Sequence, residues 1–175
     1  DVVLATMLRL RLGTPPELSH SLGVNVTLET ADGKFLWSRR SAAAHIDGGM
    51  LAPAVNEGAS TIDVDALGRW DPVATAVRGL AEELGLGPED LVGRGGSPAV
   101  RVHSVISQVA NGGISVLAHA TTRLTAGEVE RARAGAPDRA EADGDLVVVE
   151  ASMPGLQAML RRGDAWVGWG PAALL

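Results

Sequence analysis

The chain has no cysteine and no tyrosine, and a single phenylalanine stands beside four tryptophans in 175 residues. Without cysteine there is no disulfide framework and no thiolate to act as nucleophile or metal ligand, so a reducing cytoplasm is the expected compartment. So few aromatic rings leave Ala, Val, Leu and Gly to fill the core, and they speak against a stacking platform for single-stranded nucleic acid. No apolar run is long enough to span a bilayer, and no positively charged segment leads into a cleavable apolar stretch, so no membrane association is expected. Acidic residues outnumber basic ones by 21 to 15, and the resulting net charge of -6, with no basic run against it, disfavours nucleic acid as a partner. The first residue is Asp1 rather than Met, which reads as a chain trimmed or cut from a longer protein.

What is present suffices for one core. At 46% hydrophobic residues, a chain of this length can bury a sizeable interior, and no repeat or linker divides it, so residues 1–175 are expected to form a single domain. Residues 2–12 alternate loosely and read as a strand before the loop Gly13-Thr14-Pro15-Pro16. Val24 to Thr30 alternates cleanly, and Asp32-Gly33 marks a hairpin turn into Lys34 to Arg40. Residues 41–70 read as irregular. Val100 to Val109 and Ile114 to Leu124 are strand-like runs joined at Asn111-Gly112-Gly113. Thr125 and Glu128 have capping-box spacing and open a helix that stops near Gly135. Asp145 to Ala151 reads as a short buried strand, and Ser152 to Arg162 as a final helix stopped by Gly163. Strands, helix, strands and helix in that order predict an α+β fold, an α/β/α sandwich around a mixed β-sheet.

The sharpest segment is Asp71 to Leu86. Asp71 suits an N-cap, Pro72 the first helical turn and Gly85 the left-handed residue that ends a helix. At about 100° per residue, Val73, Val77, Leu80 and Leu84 form the stripe expected to face the core, leaving Arg78, Glu82 and Glu83 on the polar side. Adjacent carboxylates repel one another, so they are either solvated separately or share a hard cation such as Mg²⁺ or Mn²⁺. Arg78 also lies four residues before Glu82, within reach of an ion pair.

These residues resemble the second half of a Nudix box. The usual signature runs Gly, five residues, Glu, seven residues, then Arg-Glu-apolar-any-Glu-Glu-any-Gly-apolar. Here Arg78-Gly79-Leu80-Ala81-Glu82-Glu83-Leu84-Gly85-Leu86 departs from its second half only at Gly79, where the family has a glutamate that binds metal or acts as base. Glu57-Gly58 resembles the start of the signature but lies too far from Arg78, a shift that an insertion through Asp63 and Asp65 would explain. The resemblance covers roughly residues 20–170, and the order of elements agrees with it.

It implies hydrolysis of a nucleoside diphosphate derivative, with carboxylate-held divalent ions polarising a phosphoryl oxygen and activating water. Carried over, Glu82 and Glu83 are metal ligands, Arg78 orients a neighbouring carboxylate, and Glu57 is the candidate further ligand from the loop. Arg39 and Arg40 end a strand whose basic end often faces substrate in the family, although on the residues alone a solvated strand end explains them better. Asp71 is better explained as a cap than as a ligand. With Gly79 in place of an acid, two readings stand. Another carboxylate from residues 57–71, or Glu128 or Glu141, completes a divergent hydrolase. Otherwise the fold serves as a binding or regulatory module for a nucleotide-like ligand or a protein partner, without turnover.

The remaining polar residues form no site. His103 and His119 fall on paired strands, and the turn between them decides whether they share a face. Ser21, Ser41, Ser60 and Ser104 lack a nucleophile elbow, and Gly93-x-Gly95-Gly96 lacks the lysine of a phosphate loop. Trp37 or Trp70 at a site mouth would stack on a base, though core packing accounts for each. Apolar exposure around Gly168-Trp169-Gly170 would permit a homodimer.

Overall fold

The structure is a computed structural model that describes residues 22–42, 47–93, 95–107, 113–138 and 144–167. The expected strand over 2–12, His20, His45, the turn at 111–112, Glu141 and the Gly168–Gly170 segment lie outside them. The described residues form a mixed sheet of seven strands with three helices, an α+β fold. The strands are β1 (Leu22–Glu29), β2 (Lys34–Arg39), β3 (Leu51–Pro53), β4 (Val55–Gly58), β5 (Val100–Ser107), β6 (Ile114–Thr121) and β7 (Leu146–Glu150). The helices are α1 (Pro72–Leu84), α2 (Ala126–Arg133) and α3 (Met153–Arg161). Among the described residues no helix is long and apolar enough to cross a membrane.

β1 is the hub. It runs parallel to β6 along its whole length, antiparallel to β4 from Gly23 to Val26, and pairs with β2 only next to the turn, at Leu28 with Leu36 and Glu29 with Phe35. The hairpin expected at Asp32-Gly33 therefore forms and at once splits. Beyond the turn, β2 runs between β7 on one edge and β3 on the other. The expected irregular region 41–70 is thus corrected at its centre, where β3 and β4 each close one side of that split. Backbone donors beside an open strand must find partners, and two short segments satisfy them without a recognisable pattern of their own.

The two sheet faces carry separate cores. Val24, Val26, Leu28, Val116 and Ala118 pack with Ala76, Leu80 and Leu84 of α1 and Val129 of α2. On the other face, Trp37 and Leu117 pack with Met159 of α3. Because β1 lies centrally, its polar positions Asn25 and Thr27 are also buried. β7 is not the buried strand expected of Leu-Val-Val-Val: only Val149 is buried and Val148 is exposed, because nothing in the described sheet pairs with its far edge.

Asp71 caps α1 as expected, its Oδ1 accepting from Val73 N at 2.8 Å, and Gly85 ends the helix at φ 69°. The buried stripe is rotated from the expected one. It runs through Thr75, Ala76, Gly79, Leu80 and Leu84, while Val73 is exposed. The rotation follows from Gly79, which lets β4 press against the helix backbone: a Cβ there would meet Val55 Cγ1 and Glu57 Cβ, each at 2.7 Å.

Candidate functional site

α1 supplies Arg78, Glu82 and Glu83. β4, held antiparallel to β1, lays Glu57 across Gly79, and the loop between β4 and α1 folds back to place Asp63 beside the same guanidinium. Arg78 is the centre. Its Nε donates to Asp63 Oδ1 at 3.0 Å, and Nη2 donates to Asp63 Oδ2 at 2.8 Å and to the Gly58 carbonyl at 2.7 Å. Nη1 contacts Glu57 Oε1 and Glu82 Oε2, each at 2.9 Å. A guanidinium has five N–H donors, and these contacts take all of them.

Asp63 is nearly sealed, at 3% exposure, and its Oδ2 takes two further donors. Thr75 Oγ1 donates to Oδ2 at 2.9 Å and Ser60 N donates to the same oxygen at 3.1 Å, while Trp70 Nε1 donates to Thr75 Oγ1 at 2.8 Å. Hydrogen bonds from Arg78, reinforced by Thr75 and Ser60, hold the Asp63 carboxyl below its ordinary pKa against the opposing effect of burial. Arg78 in turn is held more firmly protonated than a free arginine, first by Asp63.

The two adjacent glutamates have different partners. Glu82 turns back to Arg78, whereas Glu83 lies against β4, where it accepts from Asn56 N at 3.1 Å. Burial pushes the Glu83 carboxyl up to about 7, and the negative charge of Glu57 adds to the rise. Burial likewise raises Glu57, with Arg78 opposing it. The expectation that Arg78, Glu82 and Glu83 face outward together is corrected here: one helical step swings Glu83 from the Arg78 side toward the β4 backbone.

The other sequence candidates lie elsewhere. Arg39 donates to Asp164 Oδ1 at 2.7 Å and to the Gly49 carbonyl at 3.0 Å, tying β2 to the segment after α3, and the Arg40 backbone joins the same turn by accepting from Gly49 N at 3.0 Å. Glu128 closes the capping box of α2, accepting from Thr125 N at 2.8 Å. Trp37 is fully buried and meets Trp166 edge-on at 5.2 Å, so it belongs to the core.

Asp63 falls within the 57–71 stretch expected to offer a further carboxylate, and Trp70 was weighed as a ring at the site mouth, but the pairing of Asp63 with Arg78 and the part played by Thr75 were not foreseen. The available signal was the Nudix spacing itself: position 70, eight before Arg78, holds Trp where the signature has an acid, which leaves the arginine to be satisfied from another place.

Do these residues fit a divalent ion? Among the described residues no group of three or more Asp, Glu or His is arranged to hold one. Glu57, Asp63 and Glu82 converge on a cation the chain itself supplies, and the position for a further acid is a glycine closed by Val55 and Glu57. The donor set as arranged does not fit Mg²⁺ or Mn²⁺.

No protein-family model and no curated protein sequence matches the chain. Solved structures do. The Deinococcus radiodurans protein DR0079 superposes with a TM-score of 0.57 at 18% identity, over 92% of this chain and 86% of that one. The NUDIX domain of Shewanella oneidensis NrtR, solved with ADP ribose, gives 0.53 at 15% identity over 92% of this chain and 89% of its own. This chain has the Nudix fold. A bifunctional NMN adenylyltransferase/ADP ribose pyrophosphatase from Francisella tularensis, solved with AMP and a manganese ion, gives 0.52 at 14% identity; 97% of this chain is covered and 44% of that protein, which is less than half its length. At these identities the likeness carries the Nudix architecture and leaves the chemistry to this chain's own side chains.

Proposed function

We propose that this Nudix-fold domain binds a nucleotide-type ligand, of the nucleoside diphosphate class, without hydrolysing it. The observation that carries the reading is the saturation of Arg78. Its five donors are spent on Asp63, Glu57, Glu82 and a backbone carbonyl, so the segment that supplies the Nudix catalytic centre serves here to fasten loop, strand and helix together. Support for the ligand class comes from two similar structures, one holding ADP ribose and the other AMP.

Calorimetric titration of ADP-ribose into the protein in the presence of a chelator, alongside a turnover panel of nucleoside diphosphate derivatives with Mn²⁺, tests it. Metal-independent binding and no product are expected. Turnover abolished by Glu82→Gln with Glu83→Gln would overturn the binding-module reading.

That outcome would favour a second reading, a divergent pyrophosphohydrolase using Mg²⁺ or Mn²⁺ on Glu57, Glu82 and Glu83, with Arg39 and Arg40 toward substrate. One feature favours it: the Arg78 group sums to -2, from three carboxylates against one guanidinium, which leaves negative charge for a cation to neutralise. In that case Mn²⁺ affinity falls in the double variant, and calorimetry reads the loss directly.

A further inference from the structure

On the sheet face opposite α1, the far end of β1 meets β6 and the edge strand β5. Arg101 of β5 is the direct cross-strand partner of His119 of β6, and the register shift between Val102 and Ser104 falls at His103. Bulges of this kind re-aim a side chain at a sheet edge, and here the extra residue is His103, two positions along β5 from the Arg101 that faces His119.

Arg101 and His103 are exposed, and no ion pair among the described residues claims the Arg101 guanidinium. His119 is fixed from two sides. Its Nε2 lies 3.3 Å from Glu29 Oε2, and its ring meets Phe35 edge-on at 6.1 Å. With Nε2–H directed to Glu29, Nδ1 is the nitrogen left for another partner. His103 spends Nδ1 on Ser104 Oγ at 3.2 Å, which leaves its Nε2. The guanidinium fork of Arg101 and the Nδ1 of its cross-strand partner His119 therefore share one face, with the exposed His103 at the adjoining bulge, on a protein otherwise rich in acids.

We infer that Arg101, His103 and His119 form a binding site for a phosphate group, separate from the Arg78 network. The separation is geometric. Glu57 pairs with Val24 near one end of β1, and Glu29 lies five residues further along, about 16 Å at the rise of a strand, with its side chain on the opposite face. A planar fork suits phosphate oxygens, and two histidines add donors when protonated. Glu29 is the opposing charge on this face, and its hydrogen bond to His119 keeps it directed at the ring.

The site also predicts proton uptake. Burial, with Arg101 beside them, holds both rings below the ordinary histidine pKa, so they are neutral before the ligand arrives. A bound phosphate favours the charged rings, so affinity rises as pH falls from about 8 to about 6. The facing titratable groups are Arg101 and His103 on β5 and Glu29 on β1.

The test follows the histidine ring signals by NMR while inorganic phosphate or ADP is titrated into the full chain, with ionic strength held by chloride. Saturating shifts of both rings are expected, weakened about tenfold in Arg101→Gln, the order of one charge-assisted hydrogen bond. They should be unchanged in Asp71→Ala, whose side chain only caps α1. Tighter binding of ADP than of phosphate would place the group on a nucleotide, and equal binding would assign the site to free phosphate. Rings that move equally with chloride, or an Arg101→Gln variant that titrates like the parent, would overturn the proposal. Because the Arg78 network is not part of this site, its failure leaves the binding-module reading untouched.

Discussion

Asp63 holds Arg78 side-on, with Oδ1 3.0 Å from Nε and Oδ2 2.8 Å from Nη2. Asp63 is buried and Arg78 nearly so, and removing one partner strands the other. Asp63→Asn should therefore lower stability by about 3 kcal/mol, the usual cost of breaking a buried pair. Urea unfolding checks it. The sign with pH is also fixed. Asp63 titrates below its ordinary 3.8, so its contribution is present above that value and is lost as pH falls through the folded value. The variant's stability should accordingly depend less on pH in the acid range than the parent's.

Gly79 gives a prediction whose sign discriminates. Replacing glycine by alanine inside a helix ordinarily adds up to about 1 kcal/mol of stability. Here the new Cβ would stand 2.7 Å from both Val55 Cγ1 and Glu57 Cβ, so Gly79→Ala should instead cost about 1 to 3 kcal/mol. Thermal unfolding reads the sign directly, and a raised Tm would show that β4 does not press on α1. For the same reason Gly79→Glu, which restores the residue type of the family signature, should destabilise the domain and create no hydrolysis of a nucleoside diphosphate.

Glu83 carries the opposite pH signature to Asp63. Its folded pKa of about 7 lies above its ordinary 4.5, so ionising it weakens the fold. Stability should fall as pH rises from about 4.5 to about 7 and level off beyond. Glu83→Gln, which remains neutral and can still accept from Asn56 N, should flatten that slope and add on the order of 2 kcal/mol at pH 8. A flat profile in the parent would show that this carboxylate is better solvated than its place against β4 suggests.

The Asp71 side chain is explained by its cap alone. Asp71→Ala should cost about 1 kcal/mol in urea unfolding and leave ligand affinity, measured by calorimetry with ADP-ribose, unchanged. A large loss of affinity would move Asp71 from the cap into the ligand site.

Much of α1 was legible because its signals are local. The cap, Pro72 and the left-handed Gly85 act within one or two turns, and each stands where the sequence placed it. The hairpin at Asp32-Gly33 and the capping box at Thr125 were legible for the same reason. β3 and β4 were not, since three or four residues hold no periodicity and form only because β1 and β2 part company after the turn. Glu82 and Glu83 are neighbours in sequence, and that adjacency suggested a shared outward face, whereas one helical step gives them different partners.

The order of residues therefore determined where α1 begins and ends, which side chains it carries and the single glycine that departs from the Nudix pattern, because capping and helical phase are set by near neighbours. Only the tertiary structure decided what those side chains meet. A loop aspartate fifteen positions upstream reached Arg78, β4 closed over Gly79, and Arg101 came beside His119. Such meetings depend on strand pairing between distant segments, which is fixed by where each buried face comes to rest and not by any local pattern.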